Sequence, residues 1–299
     1  MSAADQSWRS AAERGSILGV RFVLWLATAF GRAPARLFVR VLAFYYTLFA
    51  GAAREGTRAF LRRAGEEASF GRVYRQILRF AQVTLDSLFF LRGKLSPFRI
   101  TRDGSEHLAT LRDGKQGAIL LGAHVGSMYA MRAQGTEESL PLHAVVYTKH
   151  AARINAVLEE IDPDGHAKLL QMGEGVDFML RIKELIEEGA LIAILADRVG
   201  SDDRAVTVEF FGAPARFPTG PFILASTLKC PVYLTYGLYR DPDLYELHCE
   251  PFAEVIELPR KRRQEALQEH VQRYAARLEA IVRAAPDNWF NFYDFWRHD

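Results

Sequence analysis

Six consecutive residues, Gly117-Ala-Ile-Leu-Leu-Gly122, carry no polar side chain and begin and end on glycine. A run this short and this apolar has no face to give to water, so it reads as a strand buried on both sides, as in a parallel sheet. Leu142–Tyr147, Leu191–Leu195 and Pro231–Tyr239 are further strand candidates, and Val206–Phe211 and Leu244–Pro251 alternate apolar and polar residues as half-buried strands do. Helical spacing fills the intervals at Val125–Gln134, Ala151–Ile161, Val176–Glu188 and Pro221–Lys229, and a long amphipathic helix is predicted over Arg260–Ala284. Strands alternating with helices of this length predict an α/β fold with a mostly parallel sheet.

The first 95 residues follow a different pattern. Residues 55–92 predict one or two helices, with Phe60, Leu61, Phe70, Val73, Ile77 and Leu85 at helical spacing, ended by Gly93 and Pro97. Ahead of them, Ile17–Phe30 and Leu37–Ala50 are rich in Leu, Val, Phe, Trp and Tyr, yet arginines 21, 32, 36 and 40 interrupt them. No stretch reaches the ~20 uninterrupted apolar residues of a bilayer span. A short apolar run with a small-residue cleavage site is not seen either, so a secretory signal is not expected. The overall charge of +2 hides an asymmetry: residues 1–63 hold ten arginines against three acids, a net +7, which leaves −5 on the rest. Two readings stand. The segments are core helices with surface arginine, or they form an interfacial anchor in which arginines meet anionic head groups and Phe22, Trp25, Phe44, Tyr45 and Tyr46 sit at the lipid boundary. The expected organisation is an N-terminal helical, membrane-interfacial region over residues 1–95 packed on an α/β core over residues 96–299. No Pro/Gly/Ser-rich linker divides them, so one cooperative unit is expected. Two cysteines exclude a disulfide framework, and no Cys/His cluster suggests zinc. A reducing compartment fits, and nothing resembles a nucleic-acid-binding signature.

Nucleophile elbow, phosphate-binding loop and HExxH motifs are all missing. What remains is Gly122-Ala-His124-Val-Gly126-Ser127, where a histidine follows a buried strand and precedes a helix. Ligands of α/β sheets bind at such junctions. Here His124 can take a proton near neutral pH, Gly126 and Ser127 leave room for substrate, and N–H groups at the helix start can stabilise an oxyanion. A structural, satisfied histidine is the plain alternative. Asp197 and Arg198 again follow a strand; a simple ion pair is their alternative reading. Phe217-Pro218-Thr219-Gly220 is either a turn before a helix or backbone that approaches an anion.

These blocks, together with Tyr147-Thr-Lys149-His150-Ala-Ala-Arg153-Ile-Asn155 and Pro286-Asp-Asn-Trp-Phe-Asn-Phe-Tyr-Asp-Phe-Trp296, resemble the lysophospholipid acyltransferase superfamily. The nearest branch is the bacterial lipid A late acyltransferases (lauroyl/myristoyl transferases), with relatives in aryl polyene lipid clusters. The resemblance implies acyl transfer from an acyl carrier protein or coenzyme A thioester to a hydroxyl of a lipid or glycolipid. It places the work at the cytoplasmic face of the inner membrane and needs no metal or bound cofactor. The family motif is a histidine followed, after four residues, by Asp or Glu. His124 matches, but the acid position is Tyr129. A phenol of ordinary pKa about 10 cannot offset imidazolium charge at pH 7. Three explanations stay open: another carboxylate such as Asp197 reaches His124; His124 works with Tyr129; or the chain is an impaired homologue that binds lipids or acyl carriers. Arg198 is expected to polarise the thioester carbonyl or bind phosphate. Lys149, His150, Arg153 and Asn155 are expected substrate contacts, with Phe217, Pro218 and Gly220 beside them. Phe89 and Phe90 are expected walls of an acyl groove.

Overall fold

The computed structural model describes residues 17–146, 168–171, 176–200 and 204–296. Seven strands form one sheet: β1 (Arg99–Asp103), β2 (Ala118–Gly122), β3 (Leu142–Val146), β4 (Lys168–Gln171), β5 (Leu191–Leu195), β8 (Val232–Arg240) and β9 (Leu244–Ala253). Their order is β1-β9-β8-β2-β5-β3-β4. The five strands from β8 to β4 are parallel, β9 runs antiparallel to β8, and β1 is parallel to β9. A separate antiparallel hairpin joins β6 (Ala205–Phe210) to β7 (Ala213–Pro218). The all-apolar run Ala118–Gly122 lies between β8 and β5 with every residue buried. β1 is an element the sequence pattern does not announce. It is an edge strand paired only with β9, and Arg99, Thr101, Arg102 and Asp103 face solvent, so no alternation marks it.

Nine α-helices are described: α1 (Ile17–Phe30), α2 (Arg32–Phe49), α3 (Gly51–Arg63), α4 (Phe70–Leu91), α5 (Ser105–Asp113), α6 (Met128–Glu137), α7 (Val176–Glu187), α8 (Gly220–Leu228) and α9 (Arg263–Ala284). α9 buries Leu267, Val271, Tyr274, Leu278, Ile281 and Val282, the stripe that its spacing predicts. At roughly 1.5–3 kcal/mol for each fully buried large apolar side chain, that face is ample reason for the helix to pack. Residues 55–92 are divided between α3 and α4.

Two arginines of α2 correct the expectation that they face lipid. Arg32 makes a two-pronged contact with fully buried Asp86 of α4, both N···O distances being 2.7 Å. Arg36 is buried and donates to the Tyr239 hydroxyl and to Asp241. Tyr245 adds a hydrogen bond to Asp86 at 2.9 Å. The network ties α2 to α4 and to the β8–β9 turn. The cause is pairing: a carboxylate buried on α4 needs a charge partner, and the guanidinium fork meets both of its oxygens. The opposite side of these helices is apolar and open. Trp25 and Phe30 of α1, with Leu37, Phe44, Tyr45 and Phe49 of α2, are exposed, whereas Tyr46 is half-buried against the core. No single helix among the described residues is long and apolar enough to cross a membrane.

Candidate active site

β2 and β5 lie side by side in register, Gly122 opposite Leu195. His124 and Asp197 each leave the sheet two residues beyond that pair, at the carboxyl ends of parallel strands, so the register alone delivers them to one place. Nδ1 of His124 lies 2.8 Å from Asp197 Oδ1, and the His124 backbone N–H donates to Asp197 Oδ2 at 3.0 Å. The carboxylate is therefore held at both oxygens. Its side chain is 1 % exposed and that of His124 30 %, so solvent reaches the imidazole and not the acid. Nε2 of His124 has no hydrogen-bond partner among the described residues.

The electrostatics set the protonation states. Burial lowers the His124 pKa, the Arg198 guanidinium lowers it further, and Asp197 pulls in the other direction; the net shift is downward. Burial pushes the Asp197 carboxyl up, but the charge and hydrogen bonds of His124, with Arg198 behind them, bring it below the ordinary carboxylate value. At neutral pH the pair is a neutral imidazole on an ionised carboxylate. Nδ1 then carries the proton toward Asp197 and Nε2 offers its lone pair outward.

Asp197, and not Tyr129, meets the imidazole. Gly126 has φ +62°, and a Cβ there would stand 1.9 Å from the Gly237 carbonyl oxygen. This turn delays the helix, which starts at Met128 instead of Val125. Tyr129 then belongs to α6 and packs against an apolar cluster that contains Val83, Ala130, Ala133 and Phe290. Burial raises its phenol pKa, which removes it further from any anionic role.

The loop also corrects the expected oxyanion donors. The Gly126 N–H donates to Asn288 O at 2.8 Å and the Ser127 N–H to Gly237 O at 2.7 Å. Neither is available to a substrate. Buried Ser127 is the N-cap of α6, its Oγ accepting from Ala130 N at 3.1 Å, and not an open substrate contact. Arg198 is near the pair; its Nη2 donates to Phe290 O at 2.7 Å, while Nε is buried with no partner among the described residues.

The expected contacts at β7 resolve into packing. The Phe217 ring is buried against Phe210, Tyr274 and Phe295, and Pro218 is buried as well. Thr219 is anchored through N and Oγ1 to Arg204 O. Gly220 opens α8 with no atom within 4 Å of where a Cβ would stand. Phe90 is buried against Phe98 and Tyr245, and Phe89 is only partly covered. Lys149, His150, Arg153 and Asn155 lie outside the described residues. No group of three or more His, Cys, Asp or Glu converges among the described residues, so none is assigned to a metal.

One part of the site has no local sequence signal. The segment Asn288–Phe290 forms a short antiparallel bridge with the His124 loop: Val125 is opposite Trp289, and the Phe290 N–H donates to His124 O at 3.0 Å. Its aromatic density marks it as core-forming; nothing in it points to a loop more than 160 residues away.

A family model described as bacterial lipid A biosynthesis acyltransferase matches residues 69–298. No curated protein matches the chain.

Proposed function

Since the chain belongs to the bacterial lipid A biosynthesis acyltransferase family, we propose that it moves a fatty acyl group from an acyl carrier protein or coenzyme A thioester to a hydroxyl of a lipid or glycolipid acceptor. The observation that carries this reading is the His124–Asp197 pair, a base oriented by a buried acid with its outer nitrogen open. In the proposed reaction Nε2 takes the acceptor hydroxyl proton as that oxygen forms a bond to the thioester carbonyl carbon. Asp197 holds the tautomer and offsets the imidazolium charge. The tetrahedral intermediate then collapses, the C–S bond breaks, and the leaving thiolate takes the proton from imidazolium. Such a base contributes typically 10²–10⁴-fold. We assign electrostatic support to Arg198, and donor or acceptor contacts to Lys149, His150, Arg153 and Asn155. Gly220, at the open start of α8, is a further candidate contact. The scheme uses no metal and no bound cofactor.

The location we propose is the cytoplasmic face of the inner membrane, with the exposed aromatic side of α1 and α2 in the interface. The support is chemical: a water-soluble thioester has to meet a lipid hydroxyl at a bilayer surface, and Trp25, Phe44, Tyr45 and Phe49 are exposed there. Incubating the purified protein with a panel of acyl-carrier and coenzyme A thioesters and lipid acceptors tests the reaction. Mass spectrometry of the products names acceptor and chain length together. Transfer by the wild type that disappears in His124→Ala is the expected result. A folded wild type inert with every donor would favour the impaired homologue, a reading that Tyr129 at the motif's acid position keeps alive.

A further inference from the structure

The His124 loop is held from outside by a segment that takes no part in the proposed chemistry. Around Val125 and Trp289 two hydrogen bonds form a two-residue ladder, Gly126 N to Asn288 O at 2.8 Å and Phe290 N to His124 O at 3.0 Å. The next carbonyl along, Phe290 O, is the acceptor for Arg198 Nη2 at 2.7 Å. One short stretch of backbone thus grips the His124 carbonyl, the Gly126 N–H on the far side of Val125, and the guanidinium beside them.

That stretch is itself fixed by two buried amides. The Asn288 side chain pairs with the peptide groups of Tyr239 as a strand would: Oδ1 accepts from Tyr239 N at 2.7 Å and Nδ2 donates to Tyr239 O at 3.2 Å. It therefore completes the end of β8 where β2 has already left the ladder. Gln76 of α4 donates through Nε2 to Trp289 O at 2.6 Å. Both side chains are buried, at 3 % and 0 % exposure, so these bonds are shielded from water and costly to leave unmade.

We propose that Asn288 is a positioning residue for the proposed acyl transfer, anchoring a clamp that fixes the depth and orientation of His124 and Arg198 without touching substrate. Gln76 is its second anchor. The proposal rests on the reading of His124 as the base. Misplacement of a reacting group by about 1 Å costs on the order of a hundredfold.

The test is the titration of the His124 imidazole, followed by NMR in full-length wild type, Asn288→Ala and Trp296→Phe, with kcat and KM measured in parallel. Trp296→Phe is the control for packing alone: its indole N–H bonds to Phe210 O and its ring lies 6.0 Å from that of Trp289, so it touches the ladder by packing without a hydrogen bond to it. In Asn288→Ala the His124 midpoint should rise toward that of an ordinary histidine and kcat should fall about a hundredfold, with KM within a few-fold of wild type. Trp296→Phe should lower thermal stability and leave the His124 midpoint in place. Should Asn288→Ala not fold, Gln76→Leu carries the same expectation. An unmoved His124 titration in the folded anchor variant overturns the proposal, as does an equal shift in Trp296→Phe. A moved titration in a protein whose wild type transfers no acyl group sustains the clamp and sinks the reading of function, so the two can fail separately.

Discussion

At the scale of single residues the site is a matter of where protons rest. His124 has a lowered pKa because burial and Arg198 outweigh Asp197. As the proposed base, His124 works only when neutral, so kcat/KM should rise with pH to a plateau whose acid midpoint lies below the ordinary histidine value of about 6.5. Arg198→Met removes one cause of that lowering; its pH–rate profile should show the acid midpoint displaced upward as well as a slower plateau. Asp197→Asn keeps the shape but loses the charge and permits the wrong tautomer. By the serine-protease precedent its kcat should fall by roughly 10⁴, a loss that steady-state kinetics on the preferred thioester would read directly. Retention of near-wild-type kcat would transfer the orienting role elsewhere. Gly126→Ala puts a methyl where the Gly237 carbonyl stands, at a φ that already costs an L-residue roughly 1–2 kcal/mol. Urea denaturation should show a loss larger than that strain.

Elements show which parts of the molecule could be read in advance. Asp86 is a buried carboxylate whose pKa burial raises, against the opposing pull of Arg32 and Tyr245. Truncating it leaves the Arg32 guanidinium without that carboxylate, held by the Pro242 carbonyl, where its side chain is only 15 % exposed. Asp86→Ala should cost about 3–5 kcal/mol, while the double replacement Arg32→Met with Asp86→Leu should recover most of it. Hydrogen exchange along α2 is the readout, since the network docks that helix. Nothing in the sequence could have paired residue 32 with residue 86. The apolar runs at β2 and β5 were legible because every residue in them is buried or nearly so. β1 was not, because an edge strand of Arg, Thr and Asp has no pattern to show. The delayed start of α6 hung on the positive φ of Gly126, and a glycine by itself does not announce the sign of φ. His124 and Asp197 were legible as strand-end residues. That they face each other depends on β2 and β5 being neighbours, which strand order decides and spacing along the chain does not. The Asn288 ladder is longer-range still.

For the whole molecule, the +7 counted over residues 1–63 overstates the charge available to a bilayer, because Arg32 and Arg36 are spent on internal partners. Binding to vesicles should therefore rest on apolar insertion more than on salt-sensitive attraction. Trp25→Glu combined with Phe49→Glu forfeits two exposed anchors worth ~1.5–3 kcal/mol each if buried. Sedimentation with anionic vesicles should weaken by at least a hundredfold, while transfer to a detergent-dispersed acceptor stays near wild type. Binding that survives the double change would move the membrane contact off this face. The ladder between His124 and Phe290 has its own consequence for the order of events in the cell. A ribosome delivers His124 some 164 residues before Asn288. Until that later stretch emerges and folds back, the sheet can form with its histidine loop unfastened. On the reading proposed above, the centre around His124 is completed late, by the arrival of the Asn288–Phe290 segment that fastens its loop.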